Sequence, residues 1–238
     1  MLRGIYAAAS GMATELEKAD IYANNLANAN TAGFRRAEVA QRSFRQDLQA
    51  ATDSAETDRG GGTLAGQWLD LRQGPIRETG GSLDVALNGP GLLVVQTPQG
   101  QAYTRAGNLT RSPQGLLVTA AGQPVLGQAG PIQLTGTQVT ITDSGSITVD
   151  GRPVDRLRVV EPAPGATLRA SGGNLLQVSA TVPAATTQVR QGCLEGANAN
   201  AVRELGAMTR GMRQYEANAE VLRTQDAAVS DLARSLAD

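Results

Sequence analysis

Apolar and small residues at Leu2, Ile5, Ala9, Met12, Leu16, Ala19, Ala23 and Leu26 advance in alternating steps of three and four. That spacing keeps them on one side of an α-helix and predicts a heptad seam. The far end of the chain repeats the pattern through Leu205, Met208, Met212, Tyr215, Ala219, Leu222, Asp226, Val229, Ala233 and Leu236, broken only by Asp226. At about 1.5 Å per residue the two helices reach roughly 40 and 50 Å, long enough to extend beyond a central domain. Ile21, Val202 and Val221 would be poorly covered by pairing these two arms alone, so further partner helices are expected. A helical hairpin within one chain is compatible with the same pattern.

Between the arms the period changes. Short apolar runs at 83–87, 92–96, 102–105, 116–119, 139–142, 147–149, 157–160 and 175–178 read as strands. Turn signals divide them at Gly89-Pro90-Gly91, Ser112-Pro113-Gln114-Gly115, Ala121-Gly122-Gln123-Pro124 and Asp143-Ser144-Gly145. All ten prolines lie between Pro75 and Pro183, and 23 of the 28 glycines between Gly60 and Gly196, so the ends are left free to be helical. The expected fold class is α+β: long N- and C-terminal helices forming a coiled-coil-like assembly domain around a central antiparallel all-β domain. The boundaries read as an N-terminal arm over 1–34, a connector over 35–72 with a short helix and a Gly-rich linker, a β-domain over 73–190 and a C-terminal arm over 191–238.

Composition narrows the chemistry. The 238 residues contain no histidine and a single cysteine, Cys193. Histidine-based triads and dyads, haem ligation, His-containing zinc sites and internal disulfides are therefore excluded within this polypeptide. Net charge is −1, so no basic surplus suggests nucleic acid as a partner. No apolar stretch approaches the roughly 20 residues of a membrane span, and the start lacks the pattern of a cleaved secretory signal. Gly60-Gly61-Gly62 is not followed by the Lys-Ser or Lys-Thr of a phosphate loop. Asp143, Ser144, Ser146 and Asp150 lack calcium-loop spacing and fit a hairpin turn. Glu216 and Glu220, four apart on a helix near Arg213 and Arg223, read as a charged face rather than an acid–base pair. No catalytic, cofactor or metal residue is expected, and the chain is read as a non-enzyme.

One local feature demands more than composition. The segment Ala23-Asn24-Asn25-Leu26-Ala27-Asn28-Ala29-Asn30-Thr31-Ala32-Gly33-Phe34 is poor in helix formers at its end, and Gly33 can adopt the left-handed conformation that terminates a helix. The first helix is expected to stop near 30–33. Asn24, Asn25 and Asn28 lie largely off the seam, with amides free to bond a neighbouring chain or cap a turn.

These motifs, taken in order, resemble the bacterial flagellar rod and hook family. The resemblance rests on LRGIYAAASGM at 2–12, NNLANANTAGF at 24–34, QGPIRETG at 73–80, LDVAL at 83–87, YTRAGN at 103–108, QGCLEGANAN at 191–200 and QYEAN at 214–218. It covers nearly the whole chain and is most similar to a proximal- or distal-rod type with one outer β-domain. What it implies is a structural subunit of the basal-body rod, polymerising through its terminal helices into the shaft that carries motor torque to the hook. The implied assembly seam is Leu2, Ile5, Met12, Leu16, Leu26, Leu205, Met208, Met212, Tyr215, Leu222, Val229 and Leu236, and the family motif residues are Asn24, Asn25, Leu26, Asn28, Gly33 and Phe34. Implied partners are further copies of the chain, other rod subunits and the flagellar type III export apparatus, with hook protein and the rings around the rod as additional candidates. Export would proceed from the cytoplasm without signal cleavage, and Phe44 and Leu48 resemble an export motif while equally fitting a short helix. The rival reading is an extracellular β binding module on a coiled-coil stalk.

Overall fold

The computed structural model describes residues 2–41 and 64–235, and these form two compact units. The first contains α1 (Leu2–Ala27), β1 (Ala37–Gln41), most of β2 (Leu64–Leu69) and α2 (Ala201–Ser235). The second contains residues 28–36 and 69–199.

In the first unit, α1 and α2 pack lengthwise in opposite directions. Their register follows from the glycines. A Cβ on Gly4 would lie 2.5 Å from Gln225 Nε2, one on Gly11 2.8 Å from Asn218 Nδ2, and one on Gly211 3.1 Å from Glu15 Oε2. The contact line therefore runs through Gly4, Ala8, Gly11, Glu15 and on to Asn25, with Ala8 and Thr14 buried beside it. Small residues let the backbones approach closely. The Asn200 side chain fixes the start of α2 by accepting the Arg203 amide at 3.1 Å, a cap that satisfies a helical N–H left without an intrahelical carbonyl. After Ala27 the chain leaves the helix in a turn in which Thr31 donates its amide to the Asn28 carbonyl at 3.0 Å.

The second unit is antiparallel β throughout its named ladders. Its largest sheet has the order β13-β14-β6-β5-β12-β15, built from Leu168–Ala170, Leu176–Val178, Gly100–Thr104, Leu92–Thr97, Val159–Pro162 and Thr181–Pro183. A three-stranded sheet joins β11 (Arg152–Arg156), β10 (Ser146–Val149) and β9 (Val139–Ile141). Three pairs complete it: β4 (Val85–Asn88) with β16 (Gln188–Gln191), β3 (Ile76–Glu78) with β17 (Cys193–Glu195), and β7 (Leu109–Arg111) with β8 (Leu117–Thr119). Strand β5 explains its unbroken apolar run, because both of its faces are covered. Leu93 and Val95 join the main core with Leu87, Leu117, Ile132, Leu134 and Ile147, while Leu92 and Val94 point into a second core with Leu126, Val160 and Leu176.

The β unit is larger than the 73–190 segment that composition suggests. Residues 191–199 are extended rather than helical: Gly192, at φ +71°, turns the chain, and Cys193, Leu194 and Glu195 pair with Glu78, Arg77 and Ile76. Residues 28–36 join the same unit. Glycine and asparagine at 192, 196, 198 and 200 delay the second helix until Ala201.

Candidate assembly site

The helical seam residues divide between two faces. Met208, Tyr215 and Leu222 are half-buried and follow Glu204, Gly211 and Asn218 by one turn, on the side of α2 that meets α1. Leu205 and Met212, on the other face, remain exposed at 51% and 59%; Val229 shares the face of Leu222 but is 42% exposed, four residues past the point where Gln225 meets Gly4 near the start of α1. On α1, Ile5, Met12 and Leu26 are half-buried, whereas Leu16 is 55% exposed and lies opposite the contact line with α2. Leu2 opens α1. Leu236, Phe44 and Leu48 lie outside the described residues.

The asparagine motif is anchored inside the chain. Asn25 is fully buried; its Oδ1 accepts the Ala37 amide at 2.9 Å, and its Nδ2 donates to the Ala37 carbonyl at 2.9 Å and to Glu204 Oε2 at 3.2 Å. One side chain thus imitates a β-ladder partner for the first residue of β1 and ties it to the foot of α2. Asn24 is exposed, Leu26 and Phe34 half-buried, and the Asn28 side chain accepts the Thr31 hydroxyl at 3.2 Å.

A charged cluster inside the β unit was not foreseen from the sequence. Glu195 is fully buried on β17, and its Oε1 accepts from Arg35 Nη2 at 2.7 Å and from the Gly74 amide at 2.9 Å. Arg105 places its Nη2 2.9 Å from Glu195 Oε2 and donates from Nη1 to the carbonyls of Gly89, at 2.7 Å, and Gly91. Burial pulls the Arg105 guanidinium below its ordinary pKa; the Glu195 charge opposes that shift and Arg35 adds to it. Gly33, at φ +69°, donates its amide to the Glu195 carbonyl at 2.8 Å, and a Cβ there would overlap the Arg105 backbone. Asn198 extends the clasp by accepting the Arg36 amide at 2.7 Å and donating to the carbonyls of Asp70 and Arg72 at 2.7 and 3.0 Å. Hydrogen bonds from Arg72 hold the Asp70 carboxyl below its ordinary pKa, with burial acting the other way.

The segments TAGFRR, QGPIRE, YTRAGN and QGCLEGAN therefore meet at one point. Arg35, Arg105, Glu195 and Asn198 carry that junction, and Glu204 carries the one with Asn25. The available signal was a glutamate set between glycines in a segment too poor in helix formers to continue the C-terminal arm. Among the described residues, no group of three or more Asp, Glu or Cys side chains is placed to hold a metal ion, and no helix is long and apolar enough to cross a membrane.

A pair of terminal helices that leaves apolar side chains exposed, together with an antiparallel β unit, defines a structural subunit of the helix-armed kind. Residues 5–35 match the family model "Flagella basal body rod protein", residues 86–149 the "Flagellar hook protein FlgE/F/G D1 domain" and residues 190–234 the "Flagellar basal body rod FlgEFG protein C-terminal". The chain is 33% identical to the flagellar basal-body rod protein FlgG of Caulobacter vibrioides, covering 94% of this chain and 96% of that protein. It is also 33% identical to FlgF of the same organism, over 93% of each chain, and to FlgF of Escherichia coli, over 95% of each. The chain belongs to the flagellar basal-body rod protein family.

Proposed function

We propose that this protein is a structural subunit of the flagellar basal-body rod that polymerises through the outward faces of α1 and α2 into an axial shaft. The observation that supports this reading most directly is the distribution of exposed apolar side chains. Among the described residues, seven of the eleven large exposed ones are Tyr6, Leu16, Val202, Leu205, Met212, Val221 and Val229, all on the two helices. Complete burial of a Leu or Met side chain contributes about 1.5–3 kcal/mol, so lateral packing of these faces stabilises an assembly strongly. Contacts that do not close on themselves extend it into a helical polymer, and many such seams give the torsional stiffness a drive shaft needs. Its neighbours are copies of itself and other flagellar axial proteins, and it reaches them through the flagellar type III export apparatus. The role is mechanical, with no catalytic step.

Electron microscopy of basal bodies from a native-host strain lacking this gene tests the assignment. Truncated or missing rods, restored by the wild-type gene, are expected. Intact, rotating flagella in the deletion strain would overturn it and favour a stalked binding module.

A further inference from the structure

The faces that α1 and α2 turn away from each other carry opposite charge. On α1, Glu17 and Asp20 are exposed next to Leu16, while Lys18 is half-buried and held by Glu15 at 2.8 Å. On α2 between Ala201 and Arg213, the exposed charges are Arg203, Arg210 and Arg213; the one acidic side chain there, Glu204, is fully buried against Asn25. Neither Glu17 nor Asp20, nor any of these three arginines, makes an ion pair with another described residue. Glu17 and Asp20 are three apart, as are Arg210 and Arg213, so each pair presents two like charges one turn apart. Beyond Arg213 the face becomes mixed, with Glu216, Glu220, Arg223 and Asp226.

Within one chain the acidic and basic faces cannot meet, because each is the back of a helix whose front is occupied by the other. A two-fold contact of like faces would set acid against acid or arginine against arginine, which is repulsive. Only the acidic face of one copy against the basic face of another brings opposite charges and exposed apolar side chains together. That contact is heterologous and leaves one free face of each kind at the ends of the assembly. We propose that Glu17 and Asp20 of one subunit, with Leu16 beside them, dock on Arg210 and Arg213 of a second copy, Leu205 and Met212 lying along one flank of that contact. The proposal rests on the reading of the chain as a rod subunit and specifies the polarity of its lateral contact.

The test is charge exchange in a deletion strain complemented with full-length variants. Glu17→Arg with Asp20→Arg, and separately Arg210→Glu with Arg213→Glu, are expected to reduce swimming-halo expansion to that of the deletion strain. All four changes together are expected to restore most of the wild-type halo. Purified variants should keep the wild-type far-UV circular dichroism spectrum, since all four side chains are exposed. Wild-type swimming by either double reversal overturns the docking, as does a folded fourfold variant that remains as immotile as the doubles. A second readout is oxidation of basal bodies carrying Leu16→Cys and Met212→Cys together, which should give a ladder of dimers, trimers and larger species; products no larger than a dimer overturn the proposal. Normal rods in the deletion strain itself would instead defeat the rod assignment, so the two failures are distinguishable.

Discussion

Replacing Glu195 by glutamine removes one charge and little volume from the centre of the clasp, and its cost follows from what is left behind. Arg35 and Arg105 have side chains only 4% and 2% exposed, and Glu195 is the anion that both of them face. Arg105 also donates to the carbonyls of Gly89, Gly91 and Leu87, but neutral carbonyls do not cancel its charge, and Arg35 Nη1 and Arg105 Nε lack hydrogen-bond partners. Breaking a buried pair by removing one partner costs about 3–5 kcal/mol, because the remaining charge stays desolvated. With a urea dependence of about 2 kcal/mol per M, the midpoint for opening the β unit should fall by roughly 1.5–2.5 M. Hydrogen exchange of β5 peptides from the full-length protein across a urea series measures that midpoint without interference from the helices. Adding Arg35→Met to Glu195→Gln returns the cluster to one excess cation and should recover at least about 1 kcal/mol relative to additivity. A midpoint shift below about 0.3 M, or strictly additive losses in the double variant, would refute the account of Glu195 as the required counter-charge.

Other expectations use the same exchange measurement. Gly33→Ala combines a left-handed φ with a clash against the Arg105 backbone and should destabilise the β unit by about 3 kcal/mol, whereas Gly80→Ala, at φ +72° in open space, should cost about 1 kcal/mol. Equal effects would mean the close approach at Gly33 relaxes freely. Asn25→Ala strands the Ala37 amide and carbonyl and one Glu204 oxygen, and should lower protection of α1 and α2 peptides by about 3 kcal/mol; Asn25→Asp, which sets a second carboxylate beside Glu204, should be worse. Asp70 has a folded-state pKa below its unfolded value, so its contribution is present above the ordinary carboxylate range near pH 4 and disappears as pH falls through the depressed value. Wild type and Asp70→Asn should therefore differ by up to about 1 kcal/mol at neutral pH, Arg72 being largely exposed, and converge in acid. A gap that widens toward low pH would contradict the assignment.

How much of this was legible depends on what each residue packs against. The helices announced themselves by period, and the strands with apolar runs, such as β5, β10 and β14, by their burial. Among the strands missed by the pattern, β11 is Arg-Pro-Val-Asp-Arg and almost wholly exposed, β13 and β15 sit at the two edges of the six-stranded sheet, and β7 and β16 each bury a single apolar residue, Leu109 and Val189, too few to make a run. Their pairing is set by neighbours rather than by their own side chains. Strands β3 and β17 were hidden for another reason, since the burial that fixes Glu195 depends on arginines 160 and 90 residues away in sequence. Periodicity cannot register a polar cluster of that kind; the motifs at 31–36, 73–78, 103–108 and 191–198 looked like separate signatures and are one junction.

The seam shows the same limit from the other side. A heptad stripe predicts that apolar residues seek a partner helix, but not which helix. In this chain the line of closest approach between α1 and α2 is built from Gly4, Ala8, Gly11, Gly211, Asn218 and Gln225, small and polar groups that bring backbones close, while Met208, Tyr215 and Leu222 on the same side are only half-buried. Leu16, Leu205 and Met212 are left outside it. The pair thus leaves apolar side chains of both helices in water, and further hydrophobic gain lies on faces that another chain can cover. Assembly through these faces, as proposed, would add to the stability of the helices and couple their ordering to incorporation.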